Sequence, residues 1–417
     1  MRYKLLFLFS IIFSIITLAD DIVINRYISP KTMSMGGTKM MNSLDESSLI
    51  YNPALLSFIH ENQISFPLNF SFGLNDEGFD NAEALSDFFD DLDKTSTEID
   101  TVNLLNSYLK GSEMTTTTET GETITLNTNK HNINNKFLQL KTAPLNWHWV
   151  APGKGIAFII DGNIKKMGLV DNPGSPLFIG NMEWSLEIPL GVSFDINDTI
   201  SLGASISYLN SVKINTRLDA NALLNLKESK IEEIGQGINA KGFSTSFGGI
   251  YRLENLNIGV SLKDPLSYIS LSKFKEKIEI DETTGESTTK YKLEDAGSAN
   301  LPTNLSLGIT NNQDLESEFL FKRIGWSVEI ENILNKDLDE DGFSDDNFYK
   351  KLHAGIEIPI FKNLRLRSGL NQGYFTWGAY ARVFFLDFEY SDYTEELGPH
   401  IGMDSNHIRA FSVSTKF

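Results

Sequence analysis

Two stretches of the chain alternate apolar and polar residues without a lapse. In 63–74, Ile64, Phe66, Leu68, Phe70, Phe72 and Leu74 interleave with Ser65, Pro67, Asn69, Ser71 and Gly73. In 182–196, Met182, Trp184, Leu186, Ile188, Leu190, Val192, Phe194 and Ile196 interleave with Glu183, Ser185, Glu187, Pro189, Gly191, Ser193 and Asp195. Strand side chains point to opposite faces at period two, so each stretch has one apolar face and one polar, charged or small face. Length then decides the setting. Soluble strands run to roughly five or six residues, whereas a tilted membrane strand needs about 9–11. These stretches span 12 and 15 residues. A wall with lipid outside and a wet lumen inside demands such sustained alternation.

The pattern predicts strands at 63–74, 137–142, 155–165, 182–196, 200–214, 242–253, 256–263, 303–310, 324–332, 351–360, 363–371, 376–385, 386–393 and 407–417. That is an even number, as single-chain bacterial barrels prefer; the second and eighth are weakly marked, so counts of about 12 to 16 stay open. Short links are expected at 197–199, 254–255, 361–362 and 385–386, and long ones at 75–136, 215–241, 264–302, 333–350 and 394–406. Their near-alternation suits tight inner turns and long outer loops. The links 143–154 and 311–323 are too long for that scheme. Trp147, Trp149, Tyr208, Tyr251, Tyr374, Trp377, Tyr390 and Tyr393 cluster near strand ends, where interfacial girdles lie.

The first residues place the chain. Arg2 and Lys4 precede an apolar run from Leu5 to Leu18, and Thr17-Leu18-Ala19 offers small residues to a signal peptidase. We read 1–19 as a secretory signal peptide, since the run is shorter than the roughly 20 residues of a spanning helix. The expected location is the outer membrane of a diderm bacterium, with outer-membrane lipid around the barrel. Phe417 ends an alternating strand with Phe411 and Val413 on its face. Such an ending resembles the signal that barrels show their insertion machinery, a second expected partner.

Composition narrows the chemistry. The net charge is −19, which argues against nucleic acid, because phosphate binding needs clustered Lys and Arg. There is no cysteine, so disulfides and thiolate metal sites are excluded. No Gly-x-Ser-x-Gly elbow, His-Glu-x-x-His pair or phosphate loop is present, and the chain reads as a non-enzyme requiring no cofactor.

Residues 20–62 do not alternate. They carry Met33-Ser34-Met35-Gly36-Gly37, then Asp45-Glu46-Ser47, then Tyr51-Asn52-Pro53-Ala54. In order and spacing this resembles the N-terminal plug of the FadL superfamily of outer-membrane transporters, nearest its PorV-like and TraF-like (conjugal transfer) branch. Gly369-Leu370-Asn371-Gln372-Gly373, Phe388-Glu389-Tyr390 and the run Tyr393 to Gly398 look like that branch too. The resemblance implies an all-β fold: a 14-stranded antiparallel transmembrane β-barrel over 63–417, closed in the lumen by a plug over 20–62. It assigns plug and gating roles to Met33, Met35, Gly36, Gly37, Asn52, Pro53 and Ala54. In transporter members the cargo is a hydrophobic small molecule, long-chain fatty-acid-like, which enters from outside and leaves sideways through the wall. In PorV-like members the barrel assists secretion or surface assembly of a protein cargo. Transport predicts an apolar pocket faced by Met33, Met35, Met40, Met41 and Leu44. Cargo handling predicts a filled lumen and binding by the outer loops.

Other features carry weaker expectations. In 333–350, Asp337, Asp339, Asp341, Gly342 and Asp345 fit positions 1, 3, 5, 6 and 9 of a calcium loop, while Phe348 stands where a bidentate Glu belongs. A Ca²⁺ site or a solvated acidic loop both suit these residues. Leu85, Phe88, Phe89 and Leu92 share one helical face, Val102, Leu105 and Leu109 a second, and Ala220, Leu223, Leu224 and Leu226 a third, so short helices are expected in extracellular loops. Such faces can pack on the barrel rim or form a landing groove. The threonine-rich stretch Thr115 to Thr125 reads as an exposed loop without regular structure. Glu183, Glu187 and Asp195 are expected to line the lumen and to meet Arg365, Arg367 and Arg382 across it. His400, His407 and Asp404 share one outer loop.

Overall fold

The computed structural model describes residue 24 and residues 26–415, apart from 42–45, 66–68, 76–77, 93, 95–96, 118–122, 128–136, 171–175, 221–222, 224–235, 281–286, 312–323, 335–336, 339–343, 346–347, 397–401 and 403–404. The signal peptide, Leu44, Asp339, Asp341, His400, Asp404 and Phe417 fall outside the described residues. So does most of the link expected at 311–323.

A plug comes first: helix α1 (Pro30–Ser34), helix α2 (Glu46–Tyr51) and a 3₁₀ turn (Pro53–Phe58). Strand β1 follows in two pieces, Gln63–Ser65 and Asn69–Asn75. Helices α3 (Gly78–Leu92) and α4 (Glu98–Lys110) and a small hairpin (Glu113–Thr117 with Thr123–Asn127) fill the first outer loop. Strand β2 also has two pieces, Leu138–Ala143 and Asn146–Ala151. Then come β3 (Lys154–Val170), β4 (Leu177–Asn197), β5 (Ile200–Leu218), β6 (Gln236–Arg252) and β7 (Leu256–Ile280). Strand β8 is Ser287–Ala299 with Asn304–Asn311, and β9 is Gly325–Ile330. The last five are β10 (Leu352–Phe361), β11 (Leu364–Asn371), β12 (Tyr374–Val383), β13 (Leu386–Glu396) and β14 (Ser405–Thr415).

Each strand pairs antiparallel with the next, and β14 pairs with β1, placing Phe72 opposite Phe411 and Gly73 opposite Ala410. The result is the expected 14-stranded barrel. Alternation sets which face meets what. Along β4, Trp184, Leu190, Val192 and Phe194 are exposed outward, whereas Glu183 and Glu187 are buried inward. No helix among the described residues is long and apolar enough to cross a membrane. An apolar outer wall of this kind belongs in the outer membrane.

Several expected links change character. Most of 143–154 is the second piece of β2, which turns into β3 at Pro152 and Gly153, so the excess length is strand. The link expected at 264–302 is likewise largely strand, because β7 and β8 stay paired from Ile269↔Ala299 out to Ile280↔Ser287. Between β11 and β12, Gln372 and Gly373 turn with φ of 52° and 84°. Such left-handed pairs match the twist of a two-residue hairpin. The threonine-rich stretch corrects the loop expectation: its described residues, 115–117 and 123–125, pair in the small hairpin, with Thr116 buried and Thr115 opposite Thr125. Alternating threonines fit a half-buried pleated surface. Tyr393 also departs from the girdle, because it is buried with Met33, Ile408 and Ala410.

The helical faces pack. Leu85, Phe88 and Leu92 of α3 meet Leu104, Leu105, Tyr108 and Leu109 of α4, together with Leu169, Phe178 and Leu218 at the outer ends of β3, β4 and β5. Phe88 stands edge-to-face on Tyr108, centroids 5.5 Å apart. Thr97 caps α4 by accepting from Asp100 N, and Gly111 ends it at φ 63°. This pair is a satellite core on the rim. Ala220 and Leu223 of the third predicted face join it, while Leu224 and Leu226 lie outside the described residues.

Candidate functional site

The plug is held by backbone geometry first. Pro30 at the first helical position presets α1, and Ser29 accepts from Thr32 N at 3.2 Å. Helix α1 then stops at Met35, and Gly36 and Gly37 turn with φ of 70° and 81°. A Cβ on Gly36 would stand 2.1 Å from the Ala354 carbonyl oxygen, and one on Gly37 2.7 Å from His353 Nδ1. The two glycines thus provide a left-handed turn and bare backbone against β10 and β11. His353 Nδ1 donates to Gly36 O at 2.9 Å, and Gly36 N donates to Thr376 Oγ1 at 3.1 Å.

The second element is seated similarly. Asn52 Oδ1 accepts from Ala54 N at 3.2 Å and caps the 3₁₀ turn, whose first residue is Pro53. Ala54 is fully buried against the wall. A Cβ on Gly203 would lie 2.3 Å from Ala54 N, and one on Gly248 2.0 Å from Asn52 Oδ1. All seven plug residues marked by the sequence therefore contact the wall or turn the chain toward it.

The wall carries matching dents. Gly155 pairs with Gly191, Gly203 with Gly248, Gly259 with Gly308, and Gly355 with Gly369 across neighbouring strands. Leu49 packs against the first pair, Met41 against the third and Met35 against the fourth. Sequence reasoning missed these glycines. Their signal was present as glycines on the small-and-polar face of alternating strands, but only register brings them into pairs.

Charge completes the seat. Glu329 of β9 accepts from three successive backbone N–H groups, Lys39, Met40 and Met41, at 2.9, 3.0 and 2.8 Å. Lys39 Nζ lies 2.8 Å from Glu331 and over the Tyr51 ring at 4.9 Å. Arg26 reaches Glu187 at 2.9 Å and Asp264 at 2.5 Å. Buried partners of this kind hold one geometry, because losing either leaves an uncompensated charge. The sequence expectation for the lumen arginines is corrected. Arg367 and Arg365 bind Glu357, and Arg382 binds Asp387, all on adjacent strands. Glu187 instead takes its partner from the plug, Glu183 from Lys165 and Asp195 from Arg252. Neighbouring strands lie about 4.8 Å apart, far closer than opposite walls.

A cavity of about 430 Å³ lies in the lumen, bounded by the plug at Arg26–Met33 and by β1–β4, β13 and β14. Its volume is in the usual range of ligand pockets. It differs from the apolar pocket expected from the sequence. Ile28, Met33, Tyr393, Ile408 and Ala410 make one apolar side, whereas Lys141, Asp161, Asn163, Glu395 and Asn406 make a polar one. Met33 lines it, but Met35, Met40 and Met41 are spent on the wall glycines.

The β3–β4 ladder lapses level with the plug, where Ala157 packs against it. Strands β3 and β4 pair at Ile156↔Leu190 and again at Ile159↔Glu187, but not between, where Pro189 has no N–H to give. Strand β2 is interrupted at Pro144 and Leu145 on the other side of β3.

Other candidates are separate. Asp337 pairs in register with Asp345 in a two-residue ladder, and their companions Asp339 and Asp341 lie outside the described residues. His407 binds Asp392 at 2.7 Å. Among the described residues no group of three or more His, Asp or Glu could hold a metal ion.

No family model matches the sequence, and no curated protein matches it. Solved structures do resemble it. A mutant of TodX described as a monoaromatic hydrocarbon channel is 12% identical, with 93% of this chain and 98% of that chain covered and a TM-score of 0.47. The Ralstonia pickettii toluene transporter TbuX is 11% identical over 94% and 98%, with a TM-score of 0.44. A Pseudomonas aeruginosa FadL homologue is 11% identical over 92% and 96%, with a TM-score of 0.39. Likenesses this distant carry no argument here, so the functional case rests on the geometry.

Proposed function

We propose that this chain carries small hydrophobic molecules across the outer membrane, in the manner of the FadL superfamily. The observation that carries the reading is the lumen cavity, half apolar and closed toward the inner side by a seated plug. Cargo from outside meets the plug, and the exit proposed for it is the lapse in β3–β4 pairing around Pro189, level with the plug. The roles of the MGG and NPA elements in seating the plug support membership of that superfamily. A long-chain fatty-acid-like molecule is the cargo expected from the sequence resemblance. The secretion role of the PorV-like and TraF-like branch calls for a filled lumen, and the cavity speaks against it.

Native mass spectrometry in mild detergent tests the proposal, comparing the full chain with Ala410→Trp. The substitution fills the cavity from β14, on the side where Ala410 packs with Met33 of the plug. A co-purifying apolar molecule that disappears in the variant supports transport. An empty barrel that retains a secreted protein would overturn it.

A further inference from the structure

The outward-to-inward alternation of β3 brings Ala157 and Ile159 onto the plug and Asp161 into the cavity just beyond it. Among the described residues the Asp161 carboxylate has neither a hydrogen bond nor an ion pair. Four cations line the same cavity, and each has another contact: Lys166 lies over the Phe137 ring at 5.4 Å, and Lys141, whose charge also acts on Asp161, is bound elsewhere. Lys141 Nζ is held by both oxygens of Glu395, at 2.5 and 2.6 Å, and Lys165 lies 3.8 Å from Glu183. Arg26, at the cavity's inner end, is shared by Glu187 and Asp264. The wall therefore presents one carboxylate with no hydrogen bond or ion pair, in a cavity also lined by Met33, Tyr393 and Ile408.

We propose that Asp161 makes this cavity select amphiphiles whose head group donates hydrogen bonds, primary ammonium above all, and disfavour carboxylate heads. The inference rests on the transport reading, because it uses the same cavity. A partly buried carboxylate away from water recovers its lost hydration only from a donor. An ammonium gives charge-assisted hydrogen bonds, and its alkyl chain lies on the apolar side. A hydroxyl head gives one neutral bond. A carboxylate head brings a second negative charge and no donor, and it must draw Lys165 or Lys166 from Glu183 or the Phe137 ring to be received. The polar half of the cavity thus argues against the fatty-acid-like cargo expected from the sequence.

Hexylamine, hexanol and hexanoate share one chain length and differ in head group. Their binding at neutral pH to the full-length protein is measured by calorimetry, for the wild type, Asp161→Asn and Ala410→Trp. Heat-shifted migration on gels confirms that each variant is a folded barrel. The expected order is hexylamine, hexanol, hexanoate, with about a 10- to 100-fold span between first and last. Asp161→Asn is expected to bring that span close to unity, and Ala410→Trp to remove all three. Equal wild-type affinities that vanish in Ala410→Trp would overturn the head-group inference and leave transport standing. An unchanged span in Asp161→Asn would do the same. If none of the three binds, or Ala410→Trp leaves binding unchanged, the cavity reading falls and takes the inference with it.

Discussion

Arg26 Nη2 lies 2.5 Å from Asp264 Oδ1, joining residues 238 positions apart. The pair ties the start of the plug to the middle of the barrel wall, and Glu187 on β4 shares the same guanidinium.

That junction predicts a large effect for one substitution. Arg26→Met leaves two buried carboxylates without their cation and is expected to cost about 3–5 kcal/mol of plug docking. Limited proteolysis should show the plug released while the barrel keeps its heat-shifted migration. Adding Glu187→Gln and Asp264→Asn should restore most of the protection. A single mutant as resistant as wild type would contradict the anchor.

The MGG turn makes a steric prediction. Gly36→Ala must accommodate a methyl 2.1 Å from the Ala354 oxygen at a φ of 70°. We expect a loss of about 2 kcal/mol or more. Hydrogen exchange over 30–41 should accelerate, with exchange in the strands of the opposite wall unchanged. Wild-type protection would mean that the glycines do not set the seat.

The rim helices carry a pH signature. Burial, followed by the hydrogen bond and charge of Asp91 at 2.9 Å, holds the Tyr108 phenol above the usual tyrosine range. The fold therefore prefers the neutral phenol. Its contribution is full below about pH 10, the unfolded value, and is lost as pH rises through the higher folded value. Ultraviolet titration of wild type minus Tyr108→Phe should show one phenol ionising late. A difference curve centred at the ordinary tyrosine value would refute the packing.

The ladder lapse predicts a lock. Register on both sides places Phe158 opposite Ile188. The chain has no cysteine, so Phe158→Cys with Ile188→Cys gives the only thiol pair. Its oxidation is expected to abolish uptake of a hydrophobic fluorophore by liposomes, and a reductant to restore it. Equal uptake in both states would move the exit elsewhere.

We propose that the loop 333–350 binds calcium. The spacing of Asp337, Asp339, Asp341 and Asp345 in the sequence is that of a calcium loop. Terbium luminescence should report a site displaced by roughly millimolar calcium. Asp337→Asn with Asp345→Asn should remove it, and no signal in the wild type would dismiss the loop as merely acidic.

Much of the architecture was legible because a membrane wall imposes a local rule. Lipid outside and water inside force period-two alternation on every long strand, so β4 announced its two faces residue by residue. Helical faces such as Leu85, Phe88 and Leu92 were legible for the same reason, since period and burial are read from neighbours in the chain. The plug turn at Gly36 and Gly37 was visible as a motif, though not its target.

Tertiary structure decided what depends on register and on pairs distant in sequence. Gly203 becomes a dent only when Gly248 stands opposite and Ala54 fills it. Glu187 finds Arg26 of the plug because the lumen brings β4 to the N-terminal segment, while Arg367 is satisfied by a nearer neighbour. Asp161 looks like any lumen acid in the sequence. It stands apart once Lys141 has been claimed by Glu395, and partner choice of that kind is set by distances that no local pattern encodes.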